Sequence, residues 1–286
     1  MDALRLIDTW DVDAAAAALL RDDGSVSTHG DTSRPFRWAS VTKLVTALAT
    51  LVALEEGTLE LDTPAGPPGS TVRHLLAHAS GMSFEGEGLM GLPGERRVYS
   101  NPGFNALGAA LASAAGMPFH EYVQAAVFAP LSMGDSSLRL DEKYGVPAAG
   151  GSGPLGDVVA LARELMQPTL IAEETLAEAA TVTFPGLDGV IPGFGRQTPC
   201  DWGLGFEIRS NKSPHWTGAD NSPRTYGHFG GSGTFLWVDP EAACALVCLT
   251  NRTFDDWAKE AWPPFADAVL AEVADEPASA ERSAGP

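Results

Sequence analysis

The amino-acid sequence predicts an α+β fold, with strands at both ends of the chain and helices between them. Apolar residues recur at helical spacing through much of residues 61–185. After Trp202 the pattern changes to short apolar runs interrupted by turn residues, which indicates strands. Near the start, the turn at residues 22–24 separates two short segments and favours a hairpin. No repeat of fixed period is present, so one compact fold is expected.

Each element rests on a local pattern. Residues 14–20 have a helix-favouring composition, but the hairpin turn that follows them predicts a strand. Residues 41–56 are apolar at helical spacing and stop at Gly57, a residue that readily takes the left-handed conformation that ends helices. Further helices are predicted over residues 72–79, 105–115, 119–128, 157–166, 173–180 and 265–274, and further strands over residues 203–209, 234–238 and 243–250. The polar tail over residues 276–286 is expected to be disordered.

The composition narrows the classes of function. A chain of 286 residues with 44% hydrophobic residues can bury a large core. Its 37 acidic and 18 basic side chains give a formal net charge of -19. Such a field repels phosphate backbones and anionic membrane surfaces. We therefore expect neither nucleic acid nor a membrane as a partner.

The amino terminus and the cysteines bear on the compartment. Residues 1–20 contain four aspartates where a secretory signal needs a basic start and an apolar run. No stretch reaches the roughly 18 apolar residues of a membrane span. Cys200, Cys244 and Cys248 lack zinc-site spacing and are odd in number, so they are expected to be reduced structural thiols. The expected location is cytoplasmic.

Ser40 and Lys43 form an S-x-x-K motif at the start of the helix predicted over residues 41–56. The spacing of three puts both side chains on one helical face, where the amine can approach the hydroxyl. Apolar neighbours disfavour a charged amine and let it act as a base. The motif alone also has a structural explanation, because serine commonly caps helices and lysine commonly reaches the surface.

Two further segments offer polar groups. Tyr99 and Asn101 supply a phenol that can relay a proton and a carboxamide that can hold an amide or the lysine. Residues 227–234 contain four glycines, which let backbone NH groups approach a developing oxyanion. Each segment alone fits an ordinary turn or a glycine-rich hairpin.

In this order, the three motifs resemble those of the serine β-lactamase and penicillin-binding superfamily: S-x-x-K, then Y-x-N or S-x-N, then a K-T-G-like strand. The H-L-L-A-H-A-S-G segment at residues 74–81 is similar to that of the branch containing class C β-lactamases, D-amino peptidases and related esterases. Further similar segments lie at residues 130–134, 150–151, 202–206 and 239–241. The resemblance spans almost the whole chain.

The resemblance implies how the chain is divided. An antiparallel sheet flanked by terminal helices would form an α+β lobe from residues 1–60 and 195–275. An all-helical lobe over residues 61–194 would be inserted in it, with the active site in the cleft between them. The implied activity is that of a serine hydrolase that forms an acyl-enzyme with a small-molecule ester, amide or lactam and needs no cofactor or metal.

The resemblance also implies roles for individual residues. Ser40 would be the nucleophile, Lys43 would accept its proton, and Tyr99 would pass that proton to the leaving group. The implied oxyanion and substrate-binding set consists of the backbone NH groups of Ser40 and Gly231, together with Gly230, Asn101, His228 and Phe229. His228 stands where many relatives carry lysine, and a histidine there is expected to have a charge that adjusts near neutral pH.

Phe229 departs from the family pattern. It occupies the position of a threonine or serine whose hydroxyl helps hold the carboxylate of β-lactams and D-alanyl peptides. No equivalent of the class A deacylation glutamate is recognised. These departures favour esters or small amides as substrates. A β-lactamase or a D-alanyl or D-amino acid peptidase is the alternative.

Other hypotheses stay open on the sequence. His74 and His78, four residues apart, would lie on one helical face and could hold a metal, although the catalytic glutamate expected between them is absent. A sensor that keeps the fold but acylates slowly would carry the same motifs. The lack of a G-x-S-x-G nucleophile elbow argues against an α/β-hydrolase.

Overall fold

The structure is a computed structural model that describes residues 2–139, 143 and 145–275. In chain order its strands are β1 (Ala15–Arg21), β2 (Val26–Gly30), β3 (Phe36–Arg37), β4 (Ser137–Leu138), β5 (Gly151–Gly153), β6 (Gly189–Ile191), β7 (Gly195–Gln197), β8 (Glu207–Ile208), β9 (Tyr226–Gly230), β10 (Thr234–Asp239) and β11 (Cys244–Thr250). Its helices are α1 (Thr42–Glu55), α2 (Val72–Leu76), α3 (Asn101–Ala115), α4 (Phe119–Val123), α5 (Val146–Ala149), α6 (Leu155–Met166), α7 (Glu173–Ala179) and α8 (Asp256–Asp275). Short 3₁₀ turns cover Ala3–Thr9 and Ala39–Val41, and a π-helical turn covers Gln124–Phe128.

A six-stranded antiparallel sheet built from both ends of the chain organises the molecule. The strand order is β2-β1-β11-β10-β9-β8, and β1 pairs with β11 over its whole length. This pairing explains why the alanine-rich residues 15–21 form a strand despite their helical propensity: both edges of β1 are hydrogen-bonded, to β2 and to β11. The predicted α+β class with an antiparallel sheet is confirmed.

Alternate residues of the central strands pack into two separate cores. On one face, Leu236 of β10 packs in the core that contains Leu44 of α1. On the other face, Phe235 packs against Trp262 of α8, with ring centroids 5.0 Å apart, in a core that also contains Leu4 near the amino terminus. The period-two alternation of a strand thus separates the layer of terminal helices from the layer that carries the Ser40 helix.

Helix α1 lies at the centre of the molecule. Every residue from Thr42 to Ala53 is buried, which is typical of a helix surrounded by protein on all sides. It is followed by Gly57 at a φ of 71°, and this left-handed residue ends the helix as the sequence predicts.

The segment predicted to be an all-helical lobe is mixed. Helix α6 lies within residues 61–194, yet it packs on β11, β1 and β10, and the Tyr226 hydroxyl of β9 donates to the Leu165 carbonyl. Strands β4 and β5 form a small sheet with β3, and β6 forms a hairpin with β7. These strands span only two or three residues, too few for a period-two pattern to be visible in the sequence.

Several element boundaries also differ from the prediction. The strand predicted over residues 203–209 shortens to Glu207–Ile208, and the glycine-rich segment before the strand predicted over residues 234–238 forms β9. Helix α8 begins at Asp256 rather than at residue 265, and it contains Pro263 and Pro264, residues that usually interrupt a helix. Within the described residues, no helix has the length and apolar character needed to cross a membrane. The tail over residues 276–286 lies outside the described residues.

Candidate active site

Ser40 sits on a tight turn directly before α1. The 3₁₀ turn Ala39–Val41 leads into the helix, and Ala39 has a φ of 46°, an unfavourable left-handed conformation for a residue with a Cβ. Such strain is common where a fold holds a reactive side chain in place. Ser40 is half-buried and lines a cavity of about 640 Å³. It is therefore shielded from bulk water but open to a small molecule.

Lys43 is fully buried and lies directly beside Ser40. Its Nζ is 3.2 Å from Ser40 Oγ, 2.7 Å from Asn101 Oδ1 and 2.9 Å from the Ala148 carbonyl oxygen. A neutral amine that donates its two N–H bonds to Asn101 and Ala148 directs its lone pair at the Ser40 hydroxyl. The arrangement can therefore accept the serine proton.

Two of these contacts have different origins in the sequence. Asn101 belongs to the predicted Tyr99–Asn101 motif, and it opens α3, which Ser100 caps by accepting a hydrogen bond from the Gly103 NH. The Ala148 carbonyl comes from backbone at the end of α5. Every residue has a backbone carbonyl, so a contact made by one leaves no pattern in the sequence and is seen only in the structure.

Gly150 and Gly151 bring the short α5 against the Ser40 turn. The Gly151 NH donates to Thr42 Oγ1 at 2.9 Å, and a Cβ at Gly151 would lie 2.5 Å from a ring carbon of Trp38. Only glycine allows this approach. The close contact positions the Ala148 carbonyl over Lys43.

Tyr99 forms part of an aromatic wall behind Lys43. Its ring centroid lies 4.8 Å from Lys43 Nζ and 4.6 Å from the imidazole of His78, and Trp202 packs on both rings. His78 Nδ1 accepts a hydrogen bond from the Ser100 NH at 3.0 Å. His78 is thus a buried structural support for the loop that carries Tyr99 and Asn101.

The metal hypothesis loses its geometric basis. Helix α2 ends at Leu76, and His78 has a φ of 52°, so His74 and His78 do not share a helical face. His74 instead bonds Thr71 Oγ1 and stacks on Phe184. Within the described residues, no group of three or more His, Cys, Asp or Glu side chains could hold a metal ion.

The glycine-rich end of β9 lies against the Ser40 turn. A Cβ built on Gly230 would lie 2.2 Å from the Trp38 carbonyl oxygen and 3.2 Å from the Ser40 nitrogen, whereas one on Gly231 would meet open space. Thr234 Oγ1 donates to the Trp38 carbonyl at 2.9 Å and ties the hairpin to the turn. Gly231 and Ser40 consequently line the same cavity.

His228 is buried and neutral. Its side chain faces Tyr99 and Trp202, and Nδ1 lies 2.6 Å from the Phe229 carbonyl oxygen. Burial, the largest cause, lowers the pKa of His228 to about 3. The expectation of a charge that adjusts near neutral pH is therefore wrong, because the sequence does not reveal how deeply this position is buried.

Phe229 points to the opposite face of β9. Its ring packs among Phe194, Phe254 and Trp262, with centroids 5.0 to 6.0 Å away, and its edge also lines the cavity. The predicted position therefore contributes apolar surface and no hydroxyl to the site.

Charged residues that were not predicted complete the cavity lining. The exposed Arg34 and Arg37 lie on one side, and the buried Glu207 lies on another. Glu207 accepts hydrogen bonds from Lys212, His215 and the Trp216 indole NH at 3.0, 2.9 and 2.7 Å. Burial alone would raise the pKa of the Glu207 carboxyl, but Lys212 and then His215 outweigh it and hold that pKa well below its usual value. Single charged residues far from a motif give no sequence signal.

Comparisons with known proteins cover nearly the whole chain. A family model described as Beta-lactamase matches residues 8–271. The solved structure of a β-lactamase from Mycobacterium bovis is 52% identical, with a TM-score of 0.92, and covers 95% of this chain and 99% of that one. EstCE1, a hydrolase with promiscuous acyltransferase activity, shares the fold at 20% identity with a TM-score of 0.75, covering 94% of this chain and 96% of that one.

A more distant relative is the "Putative D-alanyl-D-alanine carboxypeptidase" of Salmonella agona, which is 26% identical over 208 residues. The match covers 56% of this chain and 46% of that protein, so the chain spans about half the length of the curated relatives it matches. The matched range contains Ser40, Lys43, Tyr99 and the glycine-rich end of β9, and the predicted resemblance to the serine β-lactamase superfamily is confirmed. The chain belongs to the β-lactamase family of serine hydrolases.

Proposed function

We propose that the protein hydrolyses neutral esters or small amides through an acyl-enzyme on Ser40. The observation that carries this proposal is the position of Lys43 Nζ, 3.2 Å from Ser40 Oγ and held by the Asn101 and Ala148 oxygens. A base within hydrogen-bond reach of a nucleophile, itself oriented by further groups, is the arrangement that activates serine.

The proposed reaction has two halves. Ser40 Oγ bonds to the substrate carbonyl carbon while its proton passes to neutral Lys43, and the NH groups of Ser40 and Gly231 stabilise the oxyanion. The carbon–heteroatom bond to the leaving group then breaks, and Tyr99 relays the proton from Lys43 to that group. Water attacks the acyl-enzyme in the second half and regenerates Ser40.

The preference for uncharged substrates rests on His228 and Phe229. A lysine at position 228 and a hydroxyl at position 229 would attract a substrate carboxylate, but here a buried neutral imidazole and a phenyl ring occupy these positions. The net charge of -19 further disfavours anions.

A second candidate function is hydrolysis of a carboxylate-bearing substrate, a β-lactam or a D-alanyl peptide. Arg34 and Arg37 favour it, because both line the cavity and a guanidinium can bind a carboxylate. The names of the mycobacterial and Salmonella relatives agree with this candidate. A slowly deacylating sensor is the third.

A substrate panel separates these candidates. We expect kcat/KM for p-nitrophenyl acetate and butyrate to exceed that for a carboxylated cephalosporin and for D-alanine amides at matched concentration. Faster hydrolysis of the cephalosporin than of every ester would overturn the ester preference. A fluorophosphonate or β-lactam adduct that persists for hours in the intact-mass spectrum, without turnover, would indicate a sensor.

Replacement of the nucleophile provides the control. Ser40→Ala should abolish both turnover and covalent labelling, because no other group in the cavity has a lysine amine beside its hydroxyl in this motif. Circular dichroism should show an unchanged fold. An adduct on another serine in this variant would move the active site elsewhere.

A further inference from the structure

A second cavity adjoins the active site. It has a volume of about 1010 Å³, and it shares Phe84, Tyr99 and Pro192 with the cavity that contains Ser40. Tyr99 lies beside Lys43, so the second cavity opens next to the proposed reaction centre. Its size is at the upper end of what small-molecule sites need.

Two segments form the walls of this second cavity, which we call the groove, and both expose apolar side chains. One is the loop over residues 82–92, and the other is the β6–β7 hairpin. Five of the eight large apolar side chains that are exposed in the described part of the chain lie on these two segments: Phe84, Leu89, Met90, Leu92 and Val190. Apolar surface concentrated at one place on a small protein commonly marks a binding site.

Both walls are tied to the segment that carries Tyr99 and Asn101. The Ser100 hydroxyl donates to the Ser83 carbonyl at 2.7 Å, and the Asn101 NH donates to the Phe84 carbonyl at 3.2 Å. On the other side, the Arg97 NH donates to the Asp188 carbonyl at 2.9 Å. The groove is therefore positioned relative to the catalytic residues by backbone contacts rather than by long side chains.

Six of the fifteen residues that line the groove are charged, and their side chains are paired with protein groups or exposed to solvent. The Arg97 guanidinium turns inward and donates to the carbonyls of Cys200 and Thr183. Arg196 pairs with Asp188 at 2.8 Å. The remaining charged residues, Glu85, Glu95 and Arg96, are exposed at the rim. This lining suits a hydrocarbon chain better than a charged or strongly polar one.

We propose that this groove binds an unbranched apolar chain of the substrate, carried on either the acyl or the alcohol side of the ester. The proposal rests on the proposed ester hydrolysis and specifies its substrate class: esters with chains of about six to ten carbons are preferred over acetates. Each methylene buried contributes about 0.8 kcal/mol. A chain that buries only two of them in the transition state therefore gains about tenfold in kcat/KM.

The test compares chain length on wild type and on a matched pair of valine variants. The substrates are two matched pairs, p-nitrophenyl acetate with p-nitrophenyl octanoate and ethyl acetate with octyl acetate, each below its micelle-forming concentration. We expect the long-chain ester of at least one pair to exceed its short-chain partner in kcat/KM by at least about tenfold. Val190→Asp, in the groove, should reduce this ratio by at least about fivefold. Val26→Asp, at another exposed valine on the edge strand β2, should leave the ratio unchanged.

The outcomes that overturn the proposal are distinct from those that overturn the proposed function. Equal kcat/KM for all chain lengths, or equal effects of Val190→Asp and Val26→Asp on the ratio, would show that the groove binds no chain. A preference for p-nitrophenyl octanoate would place the chain on the acyl side of the ester, and a preference for octyl acetate would place it on the alcohol side. A dimer in solution that Val190→Asp dissociates would assign the patch to a second copy of the chain instead.

Covalent labelling of Ser40 tests the groove even if this protein hydrolyses no ester. Rates of Ser40 modification by ethyl and decyl fluorophosphonates, followed by intact mass, report the same chain preference without hydrolysis. A decyl preference that Val190→Asp removes supports the groove even if the ester hydrolysis fails. Equal rates reject the groove while leaving Ser40 as the nucleophile.

Discussion

Two lysines are buried in this protein, and their surroundings differ. Lys43 is buried beside three neutral oxygens, those of Ser40, Asn101 and Ala148. Lys212 is also buried, but its Nζ lies 3.0 Å from the Glu207 carboxylate and also donates to the Asp201 carbonyl at 2.7 Å. A carboxylate stabilises the ammonium form of its partner, whereas neutral oxygens hold an amine in place without fixing its charge to the same degree. Position and partner, not burial alone, separate a candidate base from a structural ion pair.

The largest contrast is expected when each lysine is replaced by methionine. Lys43→Met should lower kcat by at least about a hundredfold, because the general base is lost. Lys212→Met should instead lower the free energy of unfolding by about 3–5 kcal/mol, because Glu207 is left buried without its ammonium partner. Steady-state kinetics with p-nitrophenyl butyrate and urea denaturation measure the two effects.

Each variant is the control for the other. Lys212→Met, assayed where it is fully folded, should keep kcat within about threefold of wild type. Lys43→Met should lose much less stability than Lys212→Met. If Lys43→Met hydrolyses esters at nearly the wild-type rate, the assignment of the base is wrong.

The pKa of His228 depends on both regions. Burial has the largest effect and lowers it, an ammonium at Lys43 lowers it further, and Glu207 raises it. Its folded-state pKa of about 3 lies below the ordinary value of 6.5. Between these values the unfolded chain binds a proton that the folded chain does not, so stability falls as the pH falls. This histidine alone should reduce the free energy of unfolding by about 2 kcal/mol between pH 7 and pH 5.

His228→Asn removes this contribution. Urea denaturation at the two pH values should therefore show a decrease that is about 2 kcal/mol smaller in the variant than in wild type. Comparison with His120→Asn, a change at an exposed histidine, isolates the effect of burial. An identical pH dependence in wild type and His228→Asn would mean that the folded protein protonates His228 readily.

Phe229 tests the apolar side of the cavity. A hydroxyl at this position could hydrogen-bond a substrate carboxylate, a contact of about 1.5 to 3 kcal/mol. Phe229→Thr should raise kcat/KM for a cephalosporin relative to that for p-nitrophenyl butyrate by about tenfold. The ring packs against Phe254 and Trp262, so the assay belongs at a temperature where circular dichroism shows the variant folded. A higher ratio that arises only from a slower ester reaction, with no faster cephalosporin reaction, would contradict the prediction.

The smallest effect is expected from metal removal. His74 and His78 face different partners, and the proposed base is an amine, so dialysis against a strong chelator should leave ester hydrolysis unchanged. Loss of activity that zinc restores would replace Lys43 by a metal-bound hydroxide as the activating group.

The fold class, the family and the motif residues could be predicted from the amino-acid sequence. Ser40 and Lys43 were predicted from the spacing of three at the start of an apolar helix together with the order of the motifs, because S-x-x-K alone also fits a helix cap and a surface lysine. Tyr99, Asn101 and Gly231 were predictable only through the order of motifs, since each segment alone fits an ordinary turn.

The contacts and the burial of those residues are seen only in the folded structure. The Ala148 carbonyl reaches Lys43 through a backbone approach that Gly151 permits. The neutrality of His228 follows from burial by elements distant in sequence. The strand at residues 15–21 was predicted, but its pairing and register with β11, more than 200 residues away, are seen only in the structure. Hydrogen bonding, desolvation and strand pairing act between residues that the chain brings together only on folding, and no local pattern encodes them.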